Sequence, residues 1–290
     1  ESTYQPHLPI VLERLESIGL LERSEGADVV FPQGWVNREG RPLPMIIRKA
    51  DGGFNYSATD LACIIDRVEE SKCDEILYVV GQEQEQHFEM VFKVAREAGF
   101  MDDSIEAHHI KFGLVLGDDG KKMASRGGVA VDLKEVLEDA VEKAKDAIMA
   151  KNPDLEDIDN VAETVGIGAV KYADLSTERT HNYVFDWDKM LSFEGNTAPY
   201  LQYAHARICS IFRRGGIERE SVRSAPIILE HESELSLARA LSCFSEELDS
   251  SIDNYSPHLL CTYLHSLASA FASFYEVCPV IAAGDDATRD

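Results

Sequence analysis

Residues 75–99 read EILYVVGQEQEQHFEMVFKVAREAG, and their pattern decides the fold. Glu75 to Gly81 is a continuous apolar run closed by glycine, the pattern of a strand buried on both faces. From Gln84 to Ala98 the residues Phe88, Val91, Phe92 and Ala95 recur at helical spacing, and Gly99 ends the run. His109 to Leu116 supplies another extended run. A strand, a helical crossover and a second strand imply parallel pairing, because parallel strands need a connection of about a dozen residues or more.

Upstream, Met45 to Arg48 is a short apolar strand, Asp51-Gly52-Gly53 a turn, and Phe54 to Ser57 extended chain. Thr59 then caps a helix in which Leu61, Ile64, Ile65 and Val68 recur. The alternation predicts a doubly wound parallel sheet. After Gly117 the character changes. The polar, glycine-rich loop GDDGKKMASRGG (117–128) is followed by helical patterns only, at Leu133–Met149, Ile158–Asp174, Ala198–Arg214, Ile227–Leu248 and His258–Val277, and no lysine follows Lys189. The fold class is therefore α/β followed by all-α.

The 290 residues are 44% apolar and 28% charged, which excludes disorder and disulfide scaffolds. Lys plus Arg number 28 against 52 for Asp plus Glu, a net charge of −24. Bulk charge will not draw such a chain to nucleic acid or anionic membrane, so any RNA contact must be local. No apolar run reaches the ~20 residues of a membrane span, and the opening ESTYQPHLPIV lacks the basic start and apolar core of a signal peptide. The six cysteines show no CxxC pair and read as reduced, packed thiols, so the sequons at Asn55 and Asn254 are chance matches in a cytosolic chain. His108-His109 and His231-Glu232 lack the further ligands of a metal site, and none is expected.

Ligands of open parallel sheets bind beyond the carboxyl ends of the strands. That rule selects Tyr56 to Asp60 and Gln82 to His87, so Tyr56, Asp60, Gln84 and His87 are expected at one sheet edge. A carboxylate, a phenol and a carboxamide oxygen offer acceptors to a guanidinium, which carries five donors and no acceptor. The plainer readings are an acid near a helix start for Asp60 and a packed helical histidine for His87. Lys121, Lys122, Ser125 and Arg126 form a cationic loop suited to polyphosphate, without Walker spacing. By composition alone it reads equally as a solvated charged loop.

The stretch Gly168–Ile211, GAVKYADLSTERTHNYVFDWDKMLSFEGNTAPYLQYAHARICSI, resembles the junction of catalytic and anticodon-binding domains in arginyl-tRNA synthetases. KADGGFNYSATDLA (49–62), LYVVGQEQEQHF (77–88) and FGLVLGDDGKKMASRGG (112–128) resemble the same family's catalytic half, in order and spacing. The resemblance covers nearly the whole chain and is placed nearest the eukaryotic-type branch.

It implies a class I aminoacyl-tRNA synthetase, cytoplasmic, with L-arginine, ATP with Mg2+, and tRNA(Arg) as partners, and neither DNA nor membrane. The activity implied is activation of arginine to arginyl-adenylate and transfer to the 3′ adenosine of tRNA(Arg). In domain terms, 1–130 would be the second half of a Rossmann catalytic domain, 131–190 a stem-contact connector and 191–290 a DALR-type helical anticodon-binding domain. Tyr56, Asp60 and Gln84 would hold the arginine guanidinium, and His87 would line the ATP side.

The loop matches the KMSKS signature, reading Met123-Ala124-Ser125-Arg126-Gly127. That assigns Lys121, Lys122, Ser125 and Arg126 to catalysis and Met123 and Arg126 to ATP. Asn196, Tyr200, Gln202, Tyr203, His205 and Arg207 match the run opening the anticodon-binding domain. Tyr200, Tyr203 and Arg207 fall at i, i+3 and i+7, one helix face suited to base stacking or, alternatively, to bundle core.

The HIGH-like first signature of class I enzymes, the first half of the nucleotide fold and the family's last helix find no counterpart. The expectation is an internal fragment of a larger synthetase, inactive alone. Its rival is a non-catalytic tRNA-binding or scaffold paralogue.

Overall fold

A computed structural model describes residues 2–117, 119–123 and 132–281. The chain divides into two compact units, Glu1–Phe112 and Gly113–Asp290.

In the first unit, helix α1 (Leu8–Ser17) buries the stripe Leu8, Val11 and Leu15. Strands β1 (Glu22–Ser24), β2 (Ala27–Val30) and β3 (Met45–Arg48) follow as an antiparallel sheet in that order. Asp28, buried in this sheet, accepts from Arg48 Nε at 2.6 Å. The run 45–48 is therefore a strand, but its recorded partner is β2, antiparallel, and not a parallel neighbour. Three apolar residues and an arginine specify neither direction nor partner.

Helix α2 (Tyr56–Glu69) begins earlier than a Thr59 cap implies. Asn55 is the cap: its backbone is extended, and its Oδ1 accepts from the Tyr56 N–H at 3.0 Å. Thr59 lies inside the helix. The face carrying Leu61, Ile64 and Ile65 is buried as the spacing requires.

Strand β4 (Glu75–Gly81), helix α3 (Glu85–Glu97) and strand β5 (Glu106–Phe112) form the parallel crossover, in register from Glu75 opposite Glu106 to Gly81 opposite Phe112. This is the Rossmann-like parallel part. Ile76 and Tyr78 join Phe88, Val91 and Val94 of α3 in one core with α1 and α2. The other face of β4 is not buried as the apolar run suggests: Leu77 is 44% and Val79 66% exposed. A continuous run fixes hydrophobicity, not which face acquires a layer.

The expected strand 109–116 is two strands. β5 stops at Phe112, and β6 (Val115–Leu116) pairs in parallel with β7 (Tyr183–Val184). Gly113 makes the break: its N–H donates to the Arg179 carbonyl at 2.7 Å. A Cβ there would stand 2.4 Å from the His181 carbonyl oxygen, so only glycine fits.

Among its described residues the regular structure of the second unit is otherwise helical. Helix α4 (Leu133–Lys151), capped by Asp132, packs on α5 (Ile158–Leu175) through Ala140, Ala144, Ala162 and Ala169. A short helix α6 (Trp187–Met190) precedes α7 (Ala198–Gly215), capped by the buried Thr197. The expected helix 227–248 is replaced by α8 (Glu232–Ser242) and α9 (Phe244–Asp253). His231 opens α8 with a capping box: the Glu234 carboxylate accepts from the His231 and Glu230 N–H groups at 2.7 Å each, which holds its pKa below the usual range. Helix α10 (Pro257–Val277) packs against α5, α7, α8 and α9. Among the described residues no helix is long and apolar enough to cross a membrane.

The α4–α5 contact tolerates no added atom at Gly166, where a Cβ would lie 2.6 Å from the Ala140 carbonyl oxygen. Gly166→Ala gains ~1 kcal/mol of helix propensity, yet overpacking against backbone costs about 1–3 kcal/mol. A lower Tm by circular dichroism is expected; an unchanged or raised Tm would show that the two helices separate freely.

Candidate active site

Tyr56 and Asp60 stand one turn apart on α2, so they share a helix face. Gln84 and His87 flank the start of α3, just past the carboxyl end of β4 at Gly81. One contact joins the two segments: His87 Nε2 lies 2.6 Å from Asp60 Oδ2. The carboxylate only accepts, so the imidazole nitrogen donates. Both side chains are about one-quarter exposed, His87 at 25% and Asp60 at 26%. Tyr56 is largely exposed and Gln84 exposed, which leaves the phenol and the carboxamide available. Among the described residues, no hydrogen bond or ion pair other than that to His87 engages the Asp60 side chain.

The histidine is itself held. Its ring meets Phe88 edge-on with centroids 5.2 Å apart, and Phe88 is buried against Tyr78 and His109, each at 4.8 Å. Arg67 lies over the far part of this cluster, its guanidinium carbon 4.8 Å from the Tyr78 ring centre. Burial pushes the Tyr78 hydroxyl well above its ordinary pKa, so it stays protonated.

At the opposite ends of β4 and β5, Glu75, Glu106 and His108 bring ligand atoms within 4.8 Å of one another. They already pair among themselves, His108 Nε2 standing 3.2 Å from Glu106. They also lie away from the strand ends that bind ligands.

In the second unit, Lys121, Lys122 and Met123 belong to a tight turn that folds back on β6. Gly117 N–H donates to the Lys121 carbonyl at 2.9 Å, and Met123 N–H to that of Val115 at 2.9 Å. Both lysines are exposed, whereas Met123 packs beside the cluster of Ala169, Phe185 and Met190. Ser125 and Arg126 lie outside the described residues.

The helical residues divide by environment. Tyr200 turns into the bundle, its ring 5.3 Å from that of His265 and its hydroxyl 3.4 Å from Ser269 Oγ on α10. Tyr203 is 50% exposed. Arg207 lies between two rings, 4.6 Å from the centre of Tyr203 and 4.9 Å from that of Tyr275, and donates to the Tyr203 hydroxyl. Tyr275 is 68 residues beyond Arg207 in sequence, and no spacing rule finds it. Gln202 donates to the Thr164 carbonyl at 3.1 Å, and His205 contacts Cys209.

Asn196 serves a junction. The Tyr172 hydroxyl lies 2.6 Å from Asn196 Oδ1 and 3.0 Å from the Cys261 carbonyl, tying α5 to the start of α7 and to α10. Arg179, whose carbonyl holds Gly113, donates through Nε to the Tyr255 carbonyl at 3.0 Å.

A parallel β–α–β unit, a turn bearing paired lysines and a helical bundle set the context for comparison with known proteins. Residues 1–187 match the family of tRNA synthetases class I (R), catalytic domain, and residues 201–289 match the DALR anticodon binding domain. The chain belongs to the class I (R) tRNA synthetase family. Its curated relatives are more specific: it is 44% identical to the arginine--tRNA ligases of Klebsiella pneumoniae (strain 342) and Salmonella typhimurium (strain LT2), over 100% of this chain and 51% of each relative. It is also similar to the solved arginyl-tRNA synthetases of Plasmodium falciparum and Thermus thermophilus, both with a TM-score of 0.83. The identities are 29% and 26%; the match covers 96% and 97% of this chain but 47% and 53% of theirs. The chain thus spans about half the length of the relatives it matches. Both of these 44% relatives are bacterial.

Tyr172→Phe removes the hydroxyl from the junction. Burial raises the pKa of this phenol, with the Cys261 thiol adding to the rise, so the group is a protonated donor at neutral pH. A loss of about 1 kcal/mol is expected in urea unfolding. A variant as stable as the wild type would make both contacts incidental.

Proposed function

We propose that this chain forms part of an arginine–tRNA ligase working in the cytoplasm. The arginine carboxylate attacks the α-phosphorus of MgATP and releases pyrophosphate; the terminal adenosine hydroxyl of tRNA(Arg) then takes the arginyl group and releases AMP. The observation that carries this reading is Asp60: a carboxylate beyond the strand ends, bound only by an imidazole, with the Tyr56 phenol one turn away and Gln84 beside the histidine that touches it. Charge-assisted bonds from a planar guanidinium suit that acceptor set and disfavour a lysine ammonium, which lacks the fork geometry.

Lys121 and Lys122, with Ser125 and Arg126, neutralise the triphosphate as pyrophosphate leaves. Met123 closes the turn that carries the two lysines, and Met123 and Arg126 serve ATP binding. His87 belongs with Asp60 at the arginine site, touching its carboxylate. Residues 131–190 act as the stem-contact connector and 191–290 as the anticodon-binding domain. Tyr203 and Arg207 stack on anticodon-loop bases, with Asn196 and Tyr200 holding their helix in place. Free cysteines throughout fit a reducing compartment.

The test is ATP–pyrophosphate exchange with arginine and tRNA(Arg), measured on the full-length protein that carries this chain. Asp60→Asn is expected to raise the arginine KM by on the order of thirtyfold, about 2 kcal/mol for a charged contact made neutral. An unchanged KM removes Asp60 from the pocket.

For the bundle, Tyr203→Ala is expected to weaken tRNA(Arg) binding by about 1–3 kcal/mol, the worth of one stacked base, with little change in Tm. Tyr200→Ala is expected to do the reverse. Filter binding and thermal melts distinguish them, and the opposite ordering would assign the base contact to Tyr200.

A further inference from the structure

We infer that His87 is a positioning residue of the arginine site: its imidazole fixes one oxygen of Asp60 and so presents the other to the substrate guanidinium. The inference rests on the ligase reading above and deepens it. It also differs from the family resemblance, which sets His87 on the ATP side.

Four observations carry it. The Nε2–Oδ2 distance of 2.6 Å is that of a charge-assisted hydrogen bond. Among the described residues nothing engages Asp60 Oδ1. The imidazole is locked from behind, edge-on to Phe88, which is buried in the core shared by β4 and α3. Finally, His87 and Gln84 come from one short segment, so the group that orients the carboxylate and the carboxamide proposed beside it move as a unit.

The chemistry favours imidazole for this task. A lysine or arginine at His87 would orient Asp60 too, but would bring a permanent cation to the place a guanidinium must occupy. An imidazole can donate without that charge. An unsupported aspartate on a helix rotates among its staggered conformers, and each substrate would then have to order it on binding.

The experiment uses the full-length protein and reads the arginine and ATP KM values separately in tRNA-dependent pyrophosphate exchange. His87→Phe keeps a ring against Phe88 and loses the donor. His87→Gln keeps a donor able to reach a carboxylate. The phenylalanine variant is expected to raise the arginine KM about tenfold, with ATP KM and kcat within about twofold. The glutamine variant is expected to recover most of the loss.

A rise in ATP KM with arginine KM unchanged would overturn the inference and leave the ligase reading standing. Equal impairment of the two variants would overturn the donor role in the same way. If His87→Phe does not fold, His87→Ala takes its place beside His87→Gln: a tenfold rise in arginine KM for the alanine variant alone supports the inference, and an alanine variant near wild type overturns it. Wild-type protein without arginine-dependent exchange would remove the ligase reading and this inference together.

Discussion

Helix α2 is packed on more than one side, and that constraint governs the first unit. An ordinary surface helix buries one stripe. Here Ser57, Ala58, Leu61, Ala62, Cys63, Ile64 and Ile65 are all buried, because α1, β3 and α3 press on the helix from different directions. Each large apolar side chain so buried is worth ~1.5–3 kcal/mol. Leu61, Ile64 and Ile65 together therefore outweigh the ~1.5–3 kcal/mol of one hydrogen bond to a charged group. The Asp60–His87 contact does not place α2. Packing places α2, and the narrow polar arc that remains is where Tyr56 and Asp60 stand. A site built this way inherits the rigidity of the core without spending its own hydrogen bonds on it.

That division explains what could be read from the sequence. The β4–α3–β5 crossover was legible because its signals are local: an apolar run, a glycine, and helical spacing of known period. The antiparallel sheet was not. β1 is the tripeptide Glu22-Arg23-Ser24, which has no apolar alternation to detect, and the direction of β3 depends on a partner fifteen residues upstream. The break after β5 comes from Gly113 approaching His181, a contact invisible without the fold. Helix α8 starts at a histidine cap, outside the Ser, Thr, Asp and Asn set that marks most helix starts. At the site, the one-turn spacing of Tyr56 and Asp60 was legible. The nearness of His87, twenty-seven residues on and across a strand, followed from the strand-end rule, but its direct bond to Asp60 did not.

The second unit shows the same economy at its junction. Arg179 takes part twice, once through its backbone and once through its side chain. Its carbonyl receives the Gly113 N–H at the root of β6, and its guanidinium reaches the Tyr255 carbonyl between α9 and α10. Tyr172 adds a second tie, from α5 to both Asn196 and the α10 backbone. The strand that leads into the lysine-bearing turn is thus connected to the helical bundle through directional bonds to carbonyls. Such bonds fix register better than apolar packing, which tolerates sliding between ridges.

The charge of the chain bears on the RNA contact proposed for that bundle. With a net charge of −24 and no lysine beyond Lys189, the long-range field of the chain repels phosphate. Affinity in the proposed contact must then come from short-range terms. Stacking is such a term, since every base has a π-face and the contact needs no field. The Tyr203–Arg207–Tyr275 stack supplies a half-exposed ring whose orientation is fixed by a guanidinium held between two aromatics. An arginine spent in this way contributes less as a free cation than as a rigid plane. In an acidic protein that is the more useful role, because a plane orders the ring beside it at any ionic strength, while a lone positive charge would be offset by its acidic surroundings.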